Sequence, residues 1–208
     1  MPEVSAKAFV GKILLWFPLS FAAWYFLAPL LIWPVSWLVG SLLDLFYPGV
    51  VESVTQQGTL LDINTRFGSN QSLQADLQPG LLTFTLNPLM YGYCTPLLLA
   101  LQLATPGSHY RRRLGLFAVG AIILLPVQAW GVYFSTLVTL VFRLGPVIAQ
   151  SMGTTALTRE GIALSYQLGF LILPSVTPVL IWAILNQEFI VKLAGRPAGN
   201  GAPTDPLS

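Results

Sequence analysis

Charge is what this chain has least of: 9% of its 208 residues are Asp, Glu, Lys or Arg, against 54% hydrophobic, with a mean hydropathy of +0.70. Soluble domains run at about 25% charged and 45–50% apolar, so a soluble fold is excluded. The one cysteine, Cys94, rules out an intramolecular disulfide framework and every metal site built from several thiolates. The one histidine, His109, leaves little for acid–base chemistry. A net charge of +2 carries no nucleic-acid footprint, and no nucleic-acid partner is expected. Phosphate-binding glycine loops, Cys-x-x-Cys pairs and metal-ligand spacings are missing as well, so no cofactor and no metal is expected.

What is present is long apolar sequence. The few charges cluster, leaving uncharged runs between Lys12 and Asp44, Asp76 and Arg111, Arg113 and Arg143, and Glu160 and Glu188. A membrane span needs about 20 apolar residues to cross about 30 Å of hydrocarbon. The expected fold is therefore an all-α integral membrane protein with four transmembrane helices, near residues 9–33, 89–105, 114–137 and 162–185, and a small periplasmic β-patch between helices 1 and 2. The opening apolar run lacks a small-x-small cleavage site and continues past Trp33, so it reads as a retained helix. Pro34 is the expected breakpoint, with 35–47 an interfacial helix whose Trp37 and Tyr47, with Trp33, suit an aromatic belt. Residues 1–47 form the first unit.

Residues 48–86 change character. VVESVTQQGTLLDINTRF alternates and is rich in β-branched residues, Gly68–Gln71 is a turn signal, and LLTFTL alternates again. Two or three short strands are expected, forming a β-rich periplasmic unit that rests on the interfacial helix or on a partner. The stretch 81–104 then leads through Asn87–Pro88 from strand into membrane. Residues 87–191 hold three further spans, with a basic cytoplasmic loop near 106–113 and a periplasmic loop near 143–160. The tail 192–208, rich in Pro, Gly and Ala toward its end, is expected to be disordered and cytoplasmic.

Orientation follows from the basic residues. With the N-terminus inside, Lys7, Lys12, Arg111, Arg112, Arg113, Lys192 and Arg196 face the cytoplasm, and Arg66, Arg143 and Arg159 lie outside. Seven against three predicts N-in and C-in, with Arg111, Arg112 and Arg113 setting topology and anionic membrane lipid as their partner.

Cys94 is the one candidate nucleophile. A thiolate needs a base or a cation beside it, yet His109 lies about 22 Å further along the same segment if that segment is helical, on the cytoplasmic side. Packing is the plainer role. The amides inside the spans say more, because a polar group in lipid finds a partner on another helix. Gln128 and Gln167 are expected to bond helix to helix. Asn87, Tyr91 and Tyr93 at the mouth of the second span, with Trp130 and Tyr133 on the third and Tyr166 on the fourth, are candidates to lock the helices or line an outward cleft. None of them ionises as a proton relay would require.

Taken in order, NPLMYGY, PVQAWG and YQLG, with the opening LLWFPLSFAAWYFLAPLLIWPV, are similar to the exosortase H-associated membrane protein family. The resemblance covers nearly all of the chain from Gly11 to Ile190. It implies a bacterial inner-membrane protein that works alongside an exosortase, the membrane enzyme that processes exported proteins carrying a C-terminal sorting signal. Exosortases look similar in being apolar and multi-span, with a catalytic Cys, Arg and His. Here Cys94 matches by type, but no arginine lies within the third span and His109 is on the wrong side. The expected function is that of a non-enzymatic accessory protein whose partner is an exosortase or its exported substrates. The alternatives are a divergent membrane cysteine transpeptidase or protease using Cys94 with Arg143 or Arg159, and a small solute carrier with a cleft lined by Tyr93, Gln128, Trp130 and Gln167.

Overall fold

The structure is a computed structural model that describes residues 6–68, 81–106 and 109–194. Its first element, α1 (Ala6–Phe46), is one helix of 41 residues. At 1.5 Å per residue it is about 62 Å long, roughly twice the hydrocarbon thickness. The break expected at Pro34 does not occur, and Pro18, Pro29 and Pro34 all lie inside the helix. A proline removes one i→i−4 bond and pushes on one carbonyl, which bends a helix without ending it when neighbours hold both sides. Here they do. Val35, Val39 and Leu43 are buried in the main core, and Gln56 Nε2 reaches back to the Pro29 carbonyl at 2.7 Å. The interfacial helix expected over 35–47 is thus the second half of α1.

That half carries the sheet. β1 (Val51–Gln57), β2 (Leu60–Gly68) and β3 (Leu81–Leu86) form an antiparallel meander in the order β1-β2-β3. Gly58, at φ +62, supplies the positive φ of the two-residue β1–β2 turn. Alternation puts Val54, Leu61, Ile63, Leu82, Phe84 and Leu86 against the core. The outer face forms a polar ladder: Asn64 Nδ2 donates to Ser53 Oγ at 2.8 Å, Thr83 donates to Asn64 Oδ1, and Thr85 donates to Asp62 Oδ1. Gly40 gives the sheet its seat on α1, with Val54 Cγ2 3.7 Å from where a Cβ would stand. Of the expected turn Gly68–Gln71, residues 69–71 fall outside the described residues.

After α2 (Leu89–Gly92) come α3 (Cys94–Ala104), α4 (Tyr110–Val138), a π-turn Thr139–Arg143, α5 (Pro146–Ser151), α6 (Ala156–Gln167), a second π-turn Leu168–Ile172, α7 (Leu173–Leu185) and α8 (Gln187–Ala194). Among the described residues, three helices are long and apolar enough to cross a membrane: Lys7–Phe46, Tyr110–Arg143 and Ala156–Leu185. The expected span at 89–105 is shorter. Leu89–Ala104 measures about 24 Å, less than the hydrocarbon core. The four-span expectation therefore becomes three long helices around a short central one. α3 can be short because it packs on α1, α4 and α7, with Cys94, Thr95, Pro96, Leu98, Ala100, Leu101, Gln102 and Ala104 all buried.

The two ends of the bundle differ. At the end away from the sheet, Phe9 of α1 stacks on Trp182 of α7 at 5.5 Å between ring centres and meets Phe189 of α8 at 5.1 Å. The first two turns of α1, with Lys7 and Lys12, and the first turn of α4, with Arg111–Arg113, lie at this end, as do the C-terminal ends of α3 and α7. At the sheet end, the segment expected as a loop near 143–160 contains α5, begun by Gly145 at φ +106 and Pro146 at the first turn, with Ile148 and Ala149 buried. Residues 192–194 of the expected disordered tail belong to α8, and 195–208 lie outside the described residues.

Candidate functional site

The three motif segments, far apart in sequence, meet at one place. Asn87 starts it: its Oδ1 accepts the Leu89 amide at 3.1 Å, a side-chain turn that begins α2 straight after β3. α2 then lays the Tyr91 ring across Gly131 of α4, where any Cβ would strike the ring. Gly169 closes on the same stretch of α4. A Cβ there would be 2.9 Å from Trp130 Cδ1 and 3.3 Å from Gly131 Cα. Two glycines thus let α4 and the α6–π-turn segment come nearly backbone to backbone.

Hydrogen bonds fix the register of that contact. Trp130 Nε1 donates to the Ser165 carbonyl at 3.1 Å, and Gln128 Nε2 donates to Thr95 Oγ1 at 3.0 Å, tying α4 to α6 and to α3. Tyr91 meets Phe170 edge-on at 6.3 Å between ring centres, and Tyr166 stacks on Phe170 at 6.0 Å. The π-turn at Leu168–Ile172, in which Leu173 N bonds to Leu168 O, ends two residues ahead of Pro174, which has no amide hydrogen to give. Gly92 completes the node against α1, its Cβ position 3.0 Å from Trp24 Cζ2.

Cys94 is wholly buried, in a cluster with Leu98, Leu124 and Ile181, and its thiol donates to the Tyr91 carbonyl at 3.3 Å. His109 stands just before α4 at the other end of the bundle, with the whole of α3 between them. The thiol is enclosed where a nucleophile needs access and a base. Among the described residues no group of three or more His, Cys, Asp or Glu is placed to hold a metal ion.

The residues expected to share a cleft are divided among separate surroundings. Tyr91 and Gln128 are buried in helix contacts, Asn87 is an exposed turn residue, and Tyr93 is half-buried near Ser175. Tyr166 lies half-buried on the node. Gln167, expected to bond to another helix, is exposed on the outward side of α6. At about 100° per residue it points away from the face on which Ser165 and Gly169 meet α4. Trp130 and Tyr133 do line an opening. It is an apolar groove of about 690 Å³ between α1 and α6, floored by α4, with Leu42 and Phe46 on one wall and Gly161 and Ser165 on the other. The arginines also divide. Arg111 and Arg112 are exposed, whereas Arg113 Nη1 donates to the Leu103 carbonyl at 2.9 Å, near the C-terminal end of α3 where a cation is favoured.

A second polar lock, at the end away from the sheet, was not anticipated. Asn186 Nδ2 donates to Gln102 Oε1 at 3.2 Å, and Trp182 Nε1 to Thr105 Oγ1 at 2.9 Å. Gln102 and Asn186 are buried amides next to apolar runs, the same signal that drew attention to Gln128.

Long apolar helices, a glycine-fitted contact and a small polar-faced sheet define a multi-pass membrane protein. Within that class the assignment is specific: the sequence model of the exosortase H-associated membrane protein family matches residues 3–189, and the chain belongs to this family. No curated protein and no solved structure matches it.

Proposed function

We propose that this protein is a non-enzymatic accessory component of an exosortase-type sorting system in the bacterial inner membrane, oriented N-in and C-in. The node where the three family motifs meet carries the reading. Its residues are spent on holding helices together, and the thiol beside them is closed off rather than presented to a substrate. The family's association with an exosortase supplies the partner class. In this orientation the sheet and its polar ladder face the periplasm, where exported proteins are processed, and the basic end with Lys7, Lys12 and Arg111–Arg113 faces the cytoplasm.

Co-purification in mild detergent tests the partnership: the cognate exosortase is expected to follow the tagged protein, and repeated failure to do so overturns it. Cys94→Ala is expected to leave sorting-signal processing intact; lost processing at normal protein levels would reinstate a catalytic thiol. Orientation is read separately. In a Cys94→Ala background, Thr85→Cys on the exposed ladder is expected to react with an impermeant maleimide in intact spheroplasts. Reaction only after permeabilisation reverses the topology.

A further inference from the structure

We infer that a hollow between α1 and β1 seats one arginine side chain of the exosortase partner. It encloses about 360 Å³, and six of its lining residues come from one face of α1: Trp33, Ser36, Trp37, Gly40, Ser41 and Asp44. That volume is at the small end of ligand pockets, which run to about 300–1,000 Å³. Val54 of β1 supplies the wall on the sheet side, so the packing of the sheet on α1 turns a helix face into a concave site. β1 is also an edge strand of the described sheet. An open sheet edge does not sit in hydrocarbon, so the hollow that β1 walls opens to water and to a protein docking there.

The lining has the chemistry of a cation site. The Ser36 hydroxyl donates its one hydrogen to the Trp33 carbonyl at 2.8 Å, and the Ser41 hydroxyl donates to the Trp37 carbonyl at 2.9 Å. Both oxygens are left with lone pairs to offer and no proton. Asp44 adds an exposed carboxylate that makes no ion pair with a described residue. Trp33 and Trp37, one turn apart, are 67% and 66% exposed, and neither ring meets another aromatic ring or a cation among the described residues. Indole faces attract cations, yet no basic residue is among those lining the hollow. Arginine suits this set better than lysine. Its planar guanidinium stacks on an indole while its in-plane N–H groups, five donors with no acceptor, pair with a carboxylate and with hydroxyl oxygens. The family supplies the partner, so the inference rests on the partnership proposed above.

The full chain, labelled with 5-fluorotryptophan and held in detergent, tests it by fluorine NMR, the signals of Trp33 and Trp37 being assigned from Trp33→Phe and Trp37→Phe. Acetyl-arginine amide is expected to shift both signals saturably, and to bind at least about tenfold more tightly than its uncharged citrulline analogue, the scale of a charge-assisted contact. Asp44→Asn, an exposed change, is expected to lose that preference with the melting temperature unaltered. In co-purification the same variant is expected to retain at least about tenfold less exosortase than the parent. Equal binding of the arginine and citrulline probes overturns the inference, whatever the exosortase does. Capture undiminished by Asp44→Asn overturns the arginine seat and leaves the partnership standing, whereas an unaltered chain that captures no exosortase overturns both. A stronger response to phosphatidylethanolamine than to acetyl-arginine amide overturns the inference as well, since the hollow would then hold a lipid amine.

Discussion

α4 meets its neighbours in two ways within a few residues. On one face Gly131 has no side chain, and Tyr91 and Gly169 press onto it until the backbones nearly touch. On the adjoining face Trp130 and Tyr133 stand out from the helix, and α1 and α6 are held apart over a 690 Å³ groove. The apolar residues of the two faces are equally at home in lipid, so burial from water does not distinguish them. Within a bilayer, close packing of small residues and interhelical hydrogen bonds drive association. The closed face has both. The open face is lined by larger side chains, Leu42, Phe46, Tyr133 and Phe134 among them, and leaves a groove between α1 and α6.

The sharpest way to break the contrast is to fill the closed face. Gly131→Val puts two methyl groups where the Tyr91 ring lies, on a stretch of α4 that Gly169 also closes on. The expected cost is about 3 kcal/mol, at the upper end for overpacking. It would be read as a large fall in melting temperature in detergent and as poor accumulation in membranes. Tyr91→Ala in the same chain should restore much of the loss, and a double-mutant cycle would measure the coupling. A valine variant as stable as the parent would mean that the contact is looser than described.

Gly120, also on α4, makes a graded comparison. Its Cβ position lies 2.7 Å from Leu98 Cδ2 and 3.1 Å from Ile181 Cγ2, both ends of side chains rather than backbone or ring. Gly120→Ala is therefore expected to cost about 1 kcal/mol, less than Gly131→Val, since alanine recovers helix propensity against the clash. The polar component of the closed face is similar in size. Gln128→Leu removes the bond to Thr95 and is expected to destabilise by about 1 kcal/mol, the ordinary worth of a hydrogen bond between helices in a membrane. Gln167→Leu, on the exposed side of α6, is expected to leave the melting temperature unchanged. A larger effect at Gln167 than at Gln128 would reverse the placement of the two amides.

Much of this arrangement was legible in the residues. Charge-free runs marked the long helices, and alternation through VVESVTQQGTLLDINTRF and LLTFTL marked the strands, because both signals follow directly from which atoms must leave water. The central helix misled, since composition shows that 89–105 is apolar but not that neighbours enclose it, and a helix buried in protein need not reach both surfaces. Pro34 misled for a related reason: whether a proline ends a helix depends on what packs around it, here the sheet and Gln56. Of the polar candidates, Gln128 was readable and Gln167 was not, because both are amides in apolar surroundings and only the helix phase against α4 separates them. The closed face lay hidden in the glycines of YGY, AWG and QLG, whose residues can be read from sequence while their meeting point cannot.

The smallest expected effect is the most telling for the open face. Gly161 and Gly131 are glycines on helices that contact each other, yet a Cβ at Gly161 meets nothing within 4 Å. If the groove is structural padding, a leucine there should disturb its walls and lower stability as any misplaced core residue does. If the groove is open space, Gly161→Leu should cost nothing, within about 0.5 kcal/mol of the parent, as is usual for a substitution that strikes no neighbour. It can even gain slightly by removing a flexible glycine from a helix. Melting of the two chains in detergent separates these outcomes.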